Sequence, residues 1–227
     1  MSRTSSPQTA PSGARSVPLP LTQLVDRDRE LSRILDLLRR PEVRLVTLTG
    51  PAGTGRTRLA IEAALVLGGE FPDGARFIDL TALTAPHQVM TLLGEALGLR
   101  RPAHRAEALE LTLCERQVLL VLDNFEHLLA AAPPLVETLG TLAGVKVLVT
   151  SRAALRVRGE RELPIPPLPV IDPGTAASDL AGASANPAIA HFVACSQAAR
   201  PDFVLDIDNA GGVRIRLHAR GGDRGVR

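Results

Sequence analysis

The stretch Gly50-Pro-Ala-Gly-Thr-Gly-Arg-Thr57 has the residue types and the spacing to hold a phosphate. Gly50, Gly53 and Gly55 allow a backbone path on which successive N–H groups converge on one oxygen. Pro51, Ala52 and Thr54 complete the loop, and a helix starting just after it adds its positive end at the same point. Thr57 would offer its hydroxyl to Mg²⁺, and Arg58 extends the candidate nucleotide-binding stretch. The pattern is glycine, four residues, glycine, a basic residue and Thr, with Arg56 where lysine ordinarily stands. A guanidinium is planar and bulkier than an ammonium and prefers bidentate contacts. Because the backbone does much of the holding, nucleotide binding is expected to survive the exchange. Stabilisation of a phosphoryl-transfer transition state is expected to suffer, which makes hydrolysis slow or absent. The bland alternative is a glycine-rich strand-to-helix turn.

Asp123 is the second element. It ends the apolar run Gln117-Val-Leu-Leu-Val-Leu122, where a Mg²⁺-coordinating acid belongs, and shares that candidate role with Thr57. Asn124 leaves the adjoining general-base position without an acid, so Glu126 is the nearest carboxylate to polarise a water. Thr150-Ser-Arg152, at the end of a later strand, brings a basic group toward a terminal phosphate or is a solvated strand end. Asp123, Glu126 and Arg152 are thus the candidate catalytic residues. His127 has no Ser, Cys or metal partner in the pattern and reads as a surface residue. Cys114 and Cys195 lie far apart without Cys or His at ligand spacing, which excludes a disulfide framework and a zinc site.

The elements that must position these groups alternate. Leu31, Ile34, Leu35, Leu37 and Leu38 recur at helical spacing within 28–40, with Asp26 or Asp28 as the cap. Residues 44–49 form an apolar strand running directly into the glycine loop, and a helix follows over 56–68. Strands are expected over 75–80, 117–122 and 145–150, and helices over 86–98, 104–115 and 126–140. The second of these strands is apolar throughout, as a parallel strand buried on both faces must be. Alternating strands and helices define an α/β, doubly wound parallel sheet. Residues 162–169 are Pro-rich and read as an extended boundary or linker, and 187–200 as one more helix.

Length and composition agree. The chain has 227 residues, 45% hydrophobic and 22% charged, which suits one core-forming domain with extensions. No apolar run reaches the roughly 18 residues of a membrane helix. Without a secretory signal at the N-terminus, the expected location is cytoplasmic. Lys146 is the single lysine against 25 arginines, as a G+C-rich genome would produce. The net charge of +2 comes from residues 210–227, where five arginines face only Asp223. The domains read as a disordered leader over 1–20, the phosphate-binding domain over 21–169, a linker and the start of a truncated helical domain over 170–209, and a basic disordered tail over 210–227.

Several blocks together resemble a known family. Pro18-Leu-Pro-Leu-Thr22 with Val25-Asp-Arg-Asp-Arg-Glu30 resembles the opening of the signal-transducing P-loop ATPases. These are the NB-ARC-like, AAA+-like modules of large bacterial transcriptional regulators, LuxR-type and antibiotic-regulatory proteins among them. Residues 45–60 resemble their Walker A block, Leu119-Leu-Val-Leu-Asp-Asn-Phe-Glu-His-Leu128 their Walker B block, and 147–152 with 162–168 their sensor strand and the linker after it. The similarity spans roughly residues 18–209. It implies a P-loop NTPase fold, ATP/ADP with Mg²⁺ as ligands, adenine contacts from Val25 and Arg27, and regulatory protein partners. The position of Asp26 is usually glycine in that family. The family's downstream repeat sensor and DNA-binding helix-turn-helix are not found in this chain. Its arginine- and glycine-rich end, from about Asn209, reads as a changed reading frame.

The reading is an ATP/ADP-binding module of a regulatory switch ATPase. Two alternatives stand beside it. One is a protein that holds nucleic acid without sequence preference through its basic tail. The other is an inactive remnant.

Overall fold

The computed structural model describes residues 15–97, 116–168 and 186–206. They divide into two compact units. The first runs to Leu19 and then from Glu30 to Ile165; the second joins Pro20–Arg29 to the segment from Pro166 onward.

The first unit is built on a sheet of six strands. β1 (Arg15–Ser16) is followed by helix α1 (Asp28–Arg39), β2 (Leu45–Thr49), α2 (Arg56–Leu67), β3 (Ala75–Asp79) and α3 (Gln88–Ala96). Then come β4 (Val118–Asp123), two 3₁₀ turns (Phe125–His127 and Leu129–Ala131), α4 (Ala132–Thr141), β5 (Val145–Ser151) and β6 (Glu160–Pro164). The spatial order is β1-β3-β4-β5-β2-β6. Five strands, β2 to β6, are mutually parallel, and β1 lies antiparallel on β3 at one edge.

Burial explains which strands the sequence announces. Every residue of β2 and β4 is buried, so neither can alternate apolar with polar side chains. The chain leaves β2, between β5 and β6, and crosses through α2 to β3, two strands beyond β5. α2 buries Leu59, Ala60, Ala63, Ala64 and Leu67 and packs against β3, β4 and β5; its small alanines let it approach the sheet closely. A core of Ile78, Leu80, Leu93, Leu120, Phe125, Leu135 and Val147 fills in beneath α3, the 3₁₀ turns and α4. All parallel strands thus end at one edge, where open α/β sheets hold their ligands.

In the second unit, α5 (Pro187–Ala199) starts with Pro187 and is capped by Asn186, whose side chain accepts from the Ala188 and Ile189 N–H groups. Ile189 is buried against Phe192, Val193 and Leu205, and Phe192 meets Phe203 edge-on at 6.1 Å.

Three expectations are corrected. The Pro-rich stretch from 162 is not a linker at its start: β6 covers Glu160–Pro164 and buries Leu163, with Ile165 buried behind it. Pro164 is tolerated because β6 is an edge strand and the proline is its last residue. The helix expected over 126–140 begins only at Ala132, because Pro133 and Pro134 fit solely in a first turn; the preceding residues form the two 3₁₀ turns. Within the expected disordered leader, Arg15–Ser16 pairs with Phe77 and Arg76 of β3. The helix over 104–115, Cys114, most of the 170–209 segment and the basic tail lie outside the described residues.

Candidate nucleotide-binding site

β2 delivers the chain into a loop that only glycine could trace. Gly50, Gly53 and Gly55 have φ of 150°, 81° and 87°, all on the side that L side chains avoid. They differ in their surroundings. A Cβ on Gly50 would lie 2.6 Å from the Ile165 carbonyl oxygen, whereas one on Gly53 or Gly55 would meet nothing within 4 Å. Gly50 is therefore required twice over, by conformation and by the close approach of the chain after β6. That approach is fixed by the Ile165 N–H, which donates to the Thr49 carbonyl at 2.7 Å. Thr54 ties the loop across itself by donating to the Pro51 carbonyl at 3.1 Å, while Pro51 and Ala52 are exposed on the loop.

α2 begins at Arg56 with no side-chain cap and no acid in its first turn. An α-helix leaves its first N–H groups without intrahelical partners, so this start faces the loop as a bare anion acceptor. Arg56 is buried, and its Nη1 has no hydrogen-bond partner among the described residues. Burial pulls the guanidinium below its ordinary value, Glu126 and Asp123 oppose that shift, and Arg152 reinforces it. Uncapped N–H groups, a glycine path and a buried guanidinium nitrogen without a hydrogen-bond partner among the described residues are what a phosphate chain would satisfy. Arg58, by contrast, is committed to Glu62 one turn along α2 at 2.6 Å.

Thr57 donates to Asp123 Oδ1 at 2.8 Å, so the candidate metal-binding pair is already assembled. Asp123 is buried at the end of β4 and also accepts from Thr150 of β5 on the same oxygen, and from Asn124 Nδ2 at 3.2 Å on the other. Burial pushes its carboxyl above the ordinary range; hydrogen bonds from Thr150 and Thr57 resist, nearby Asp79 adds to the rise and Arg56 opposes it. Among the described residues no group of three or more His, Cys, Asp or Glu side chains is gathered as a metal centre. One carboxylate and one hydroxyl suit Mg²⁺, which commonly completes its shell with phosphate oxygens and water.

Glu126 and Arg152 also come together: Arg152 Nε donates to Glu126 Oε1 at 2.9 Å, and Glu126 Oε2 is buried without a partner. They line an open pocket of about 640 Å³ with Thr81, Asn124, His127 and Ala153. His127 places its Nε2 3.0 Å from the Leu83 carbonyl, a structural contact.

Sequence reasoning missed Asp79 and Thr81. Asp79 is the register partner of Asp123 and accepts from the Thr81 N–H and hydroxyl and from Asn124 Nδ2. Burial acts to raise the Asp79 carboxyl, but those hydrogen bonds leave it below the ordinary value. Asn124, in left-handed backbone with φ of 62°, also donates to Thr81 Oγ1 at 2.8 Å and so braces the Asp123 carboxylate. No local pattern marks them: Asp79 lies inside the strand expected over 75–80 and Asp123 follows the one expected over 117–122, and only the strand pairing brings the two together.

Val25 and Arg27 belong to the second unit. Arg27 is buried and donates to the Pro166 carbonyl at 2.7 Å. Asp26 has φ of 49°, a left-handed conformation that glycine adopts most easily and Asp tolerates.

The sheet, its edge loop and the solved structures it matches define the class: this is an α/β fold of the P-loop NTPase kind. It is similar to a signal transduction ATPase with numerous domains and a tetratricopeptide repeat sensor from Pyrococcus horikoshii. There the TM-score is 0.50 at 18% identity, over 90% of this chain and 28% of that one. It is also similar to a chain of the HORMA:CdnC:Trip13 complex of E. coli MS115-1, with a TM-score of 0.52 at 16% identity over 86% and 90% of the two chains. In sequence it is 34% identical over 193 residues to the uncharacterized protein Rv0894 of Mycobacterium tuberculosis, covering 84% of this chain and 45% of that protein. It is 39% identical over 132 residues to the "Putative HTH-type transcriptional regulator Rv0890c" of the same organism, covering 57% of this chain and 15% of that protein. The chain thus spans less than half the length of these curated relatives. No family model matches it.

Proposed function

We propose that the first unit is an ATP/ADP- and Mg²⁺-binding module of a regulatory switch ATPase related to bacterial transcriptional regulators, with slow or absent hydrolysis. The observation that carries the reading is the Thr57–Asp123 hydrogen bond at 2.8 Å directly beneath an uncapped helix start and a three-glycine loop. Gly50 to Gly55 and the first N–H groups of α2 would hold the phosphates, and Arg56 would neutralise them. Thr57 and Asp123 would hold Mg²⁺, which when bound offsets phosphate charge. Asn124 and Thr150 orient the Asp123 carboxylate for that task.

Two features support binding that outlasts turnover. Arg56 replaces a compact, mobile ammonium with a planar, buried group on whose charge Glu126, Asp123 and Arg152 all act. The residue after Asp123 is Asn124, which cannot take a proton from water, and Glu126 is engaged by Arg152. Regulatory proteins as partners and a cytoplasmic location belong to the same proposal. No helix among the described residues is long and apolar enough to cross a membrane.

The test is thermal melting with and without Mg²⁺-ADP. A ligand at about 100 times its Kd adds roughly 2.7 kcal/mol to a folded state that alone binds it. A clear rise in Tm for the natural chain, lost in Thr57→Ala, is the expected result. An unchanged Tm at millimolar nucleotide contradicts the proposal.

A further inference from the structure

Two atoms at this site are buried without hydrogen-bond partners among the described residues, and they belong to groups of opposite charge: Arg56 Nη1 and Glu126 Oε2. Glu126 uses its other oxygen to hold Arg152 at 2.9 Å. Glu126 and Arg152 both act on the Arg56 charge, in opposite senses. One carboxylate thus holds Arg152 directly and acts on the charge of Arg56.

Strand register shows where this happens. Ser151 is the partner of Thr49, so Arg152 follows β5 where Gly50, the first residue of the loop, follows β2. Glu126 lies three residues past Asp123, on the 3₁₀ turn that leaves β4. The carboxylate thus occupies the rim of the edge at which the phosphate chain would end.

Resting on the nucleotide-binding reading, we infer that Glu126 is a specificity determinant that stands in for a terminal phosphate and biases the site toward a nucleoside diphosphate over a triphosphate. A carboxylate accepts the same charge-assisted hydrogen bonds from a guanidinium as a phosphate oxygen does. The loop N–H groups and the start of α2 can hold two phosphates without disturbing Glu126. A third phosphate must take Arg152 from that carboxylate. The Arg152 side chain is 56% exposed and that of Glu126 21%, so water screens the pair and the contest is mild. Pairs of this exposure shift an equilibrium by about fivefold at most. The bias is a preference that can be reversed, not an exclusion.

The experiment measures ADP and ATP affinities calorimetrically, with Mg²⁺, for the full chain and for Glu126→Gln, Arg152→Ala and the double variant. The natural chain is expected to bind ADP more tightly. Glu126→Gln should tighten ATP by about fivefold and ADP by less than about twofold. In the Arg152→Ala background the same substitution should move the ATP/ADP ratio by less than about twofold, because nothing is left to contend for. Glu126→Ala, which also removes the buried unpaired oxygen, should move the ratio in the same direction and serves if the Gln variant does not fold. Equal tightening of both nucleotides, an unmoved ratio, or an effect that persists without Arg152 overturns the inference. Failure of the natural chain to bind either nucleotide overturns the underlying reading as well, whereas binding with an unmoved ratio overturns this inference alone.

Discussion

Asp123 is a carboxyl in a buried setting, and burial is the largest influence on it. Its carboxyl is raised above its ordinary value, so between that value and the raised one the folded chain holds more protons than the unfolded chain. Stability therefore falls as pH climbs through that window, and above it the cost of the buried charge is present in full. Asp123→Asn keeps an oxygen for Thr57 and Thr150 but removes the charge. We expect a higher Tm than the natural chain at pH 7, a difference that shrinks as pH falls into the ordinary carboxylate range, and loss of the Mg²⁺-dependent part of nucleotide affinity. Melting curves across pH check the first two; a Tm that moves equally at all pH values would show that the charge is not the cause. At Arg56 the expected change is in rate. Arg56→Lys restores a compact charge able to follow the transferring phosphoryl, so phosphate release should rise by at least about tenfold. A rate no higher than that of the natural chain would place the limitation at Asn124 and Glu126 instead.

At the scale of elements, the loop depends on β6 as much as on β2. Gly50→Ala drives a Cβ to 2.6 Å from the Ile165 carbonyl, while Gly53→Ala suffers only its left-handed backbone. Urea denaturation should therefore show a loss of about 1–2 kcal/mol for Gly53→Ala and a larger loss for Gly50→Ala. Equal losses would mean that the approach of β6 is not a constraint. Ile165→Ala, emptying a fully buried site beside the loop, should cost about 2–5 kcal/mol in the same assay. This dependence was not legible in the sequence. β2 and β4 are buried on both faces and show as apolar runs, but β6 is an edge strand with one buried side chain, and its prolines pointed to a linker. The start of α4 was legible in principle from Pro133 and Pro134, yet the apolar spacing over 126–132 concealed two 3₁₀ turns. For the site, the glycine loop, Thr57 and Asp123 could be read because one local pattern holds them. Asp79 and Thr81 could not, because they reach Asp123 through the register of two strands more than 40 residues apart in sequence.

On the scale of the whole molecule, the chain forms two units, and the candidate phosphate and metal residues all lie in the first. The second unit, with its capped helix α5 and its Arg27–Pro166 tie, has its own small apolar cluster. The curated relatives are more than twice as long as the stretch they share with this chain. The property open to direct test here is binding itself. The measurement that tests it most directly is a calorimetric titration of the purified chain with ADP and with ATP, with and without Mg²⁺. The account predicts saturable one-site binding strengthened by Mg²⁺, and a loss of about tenfold or more in Thr57→Ala, as expected when a hydrogen bond to a charged group is removed. No heat of binding, from a chain whose cooperative melting shows it folded, would contradict it.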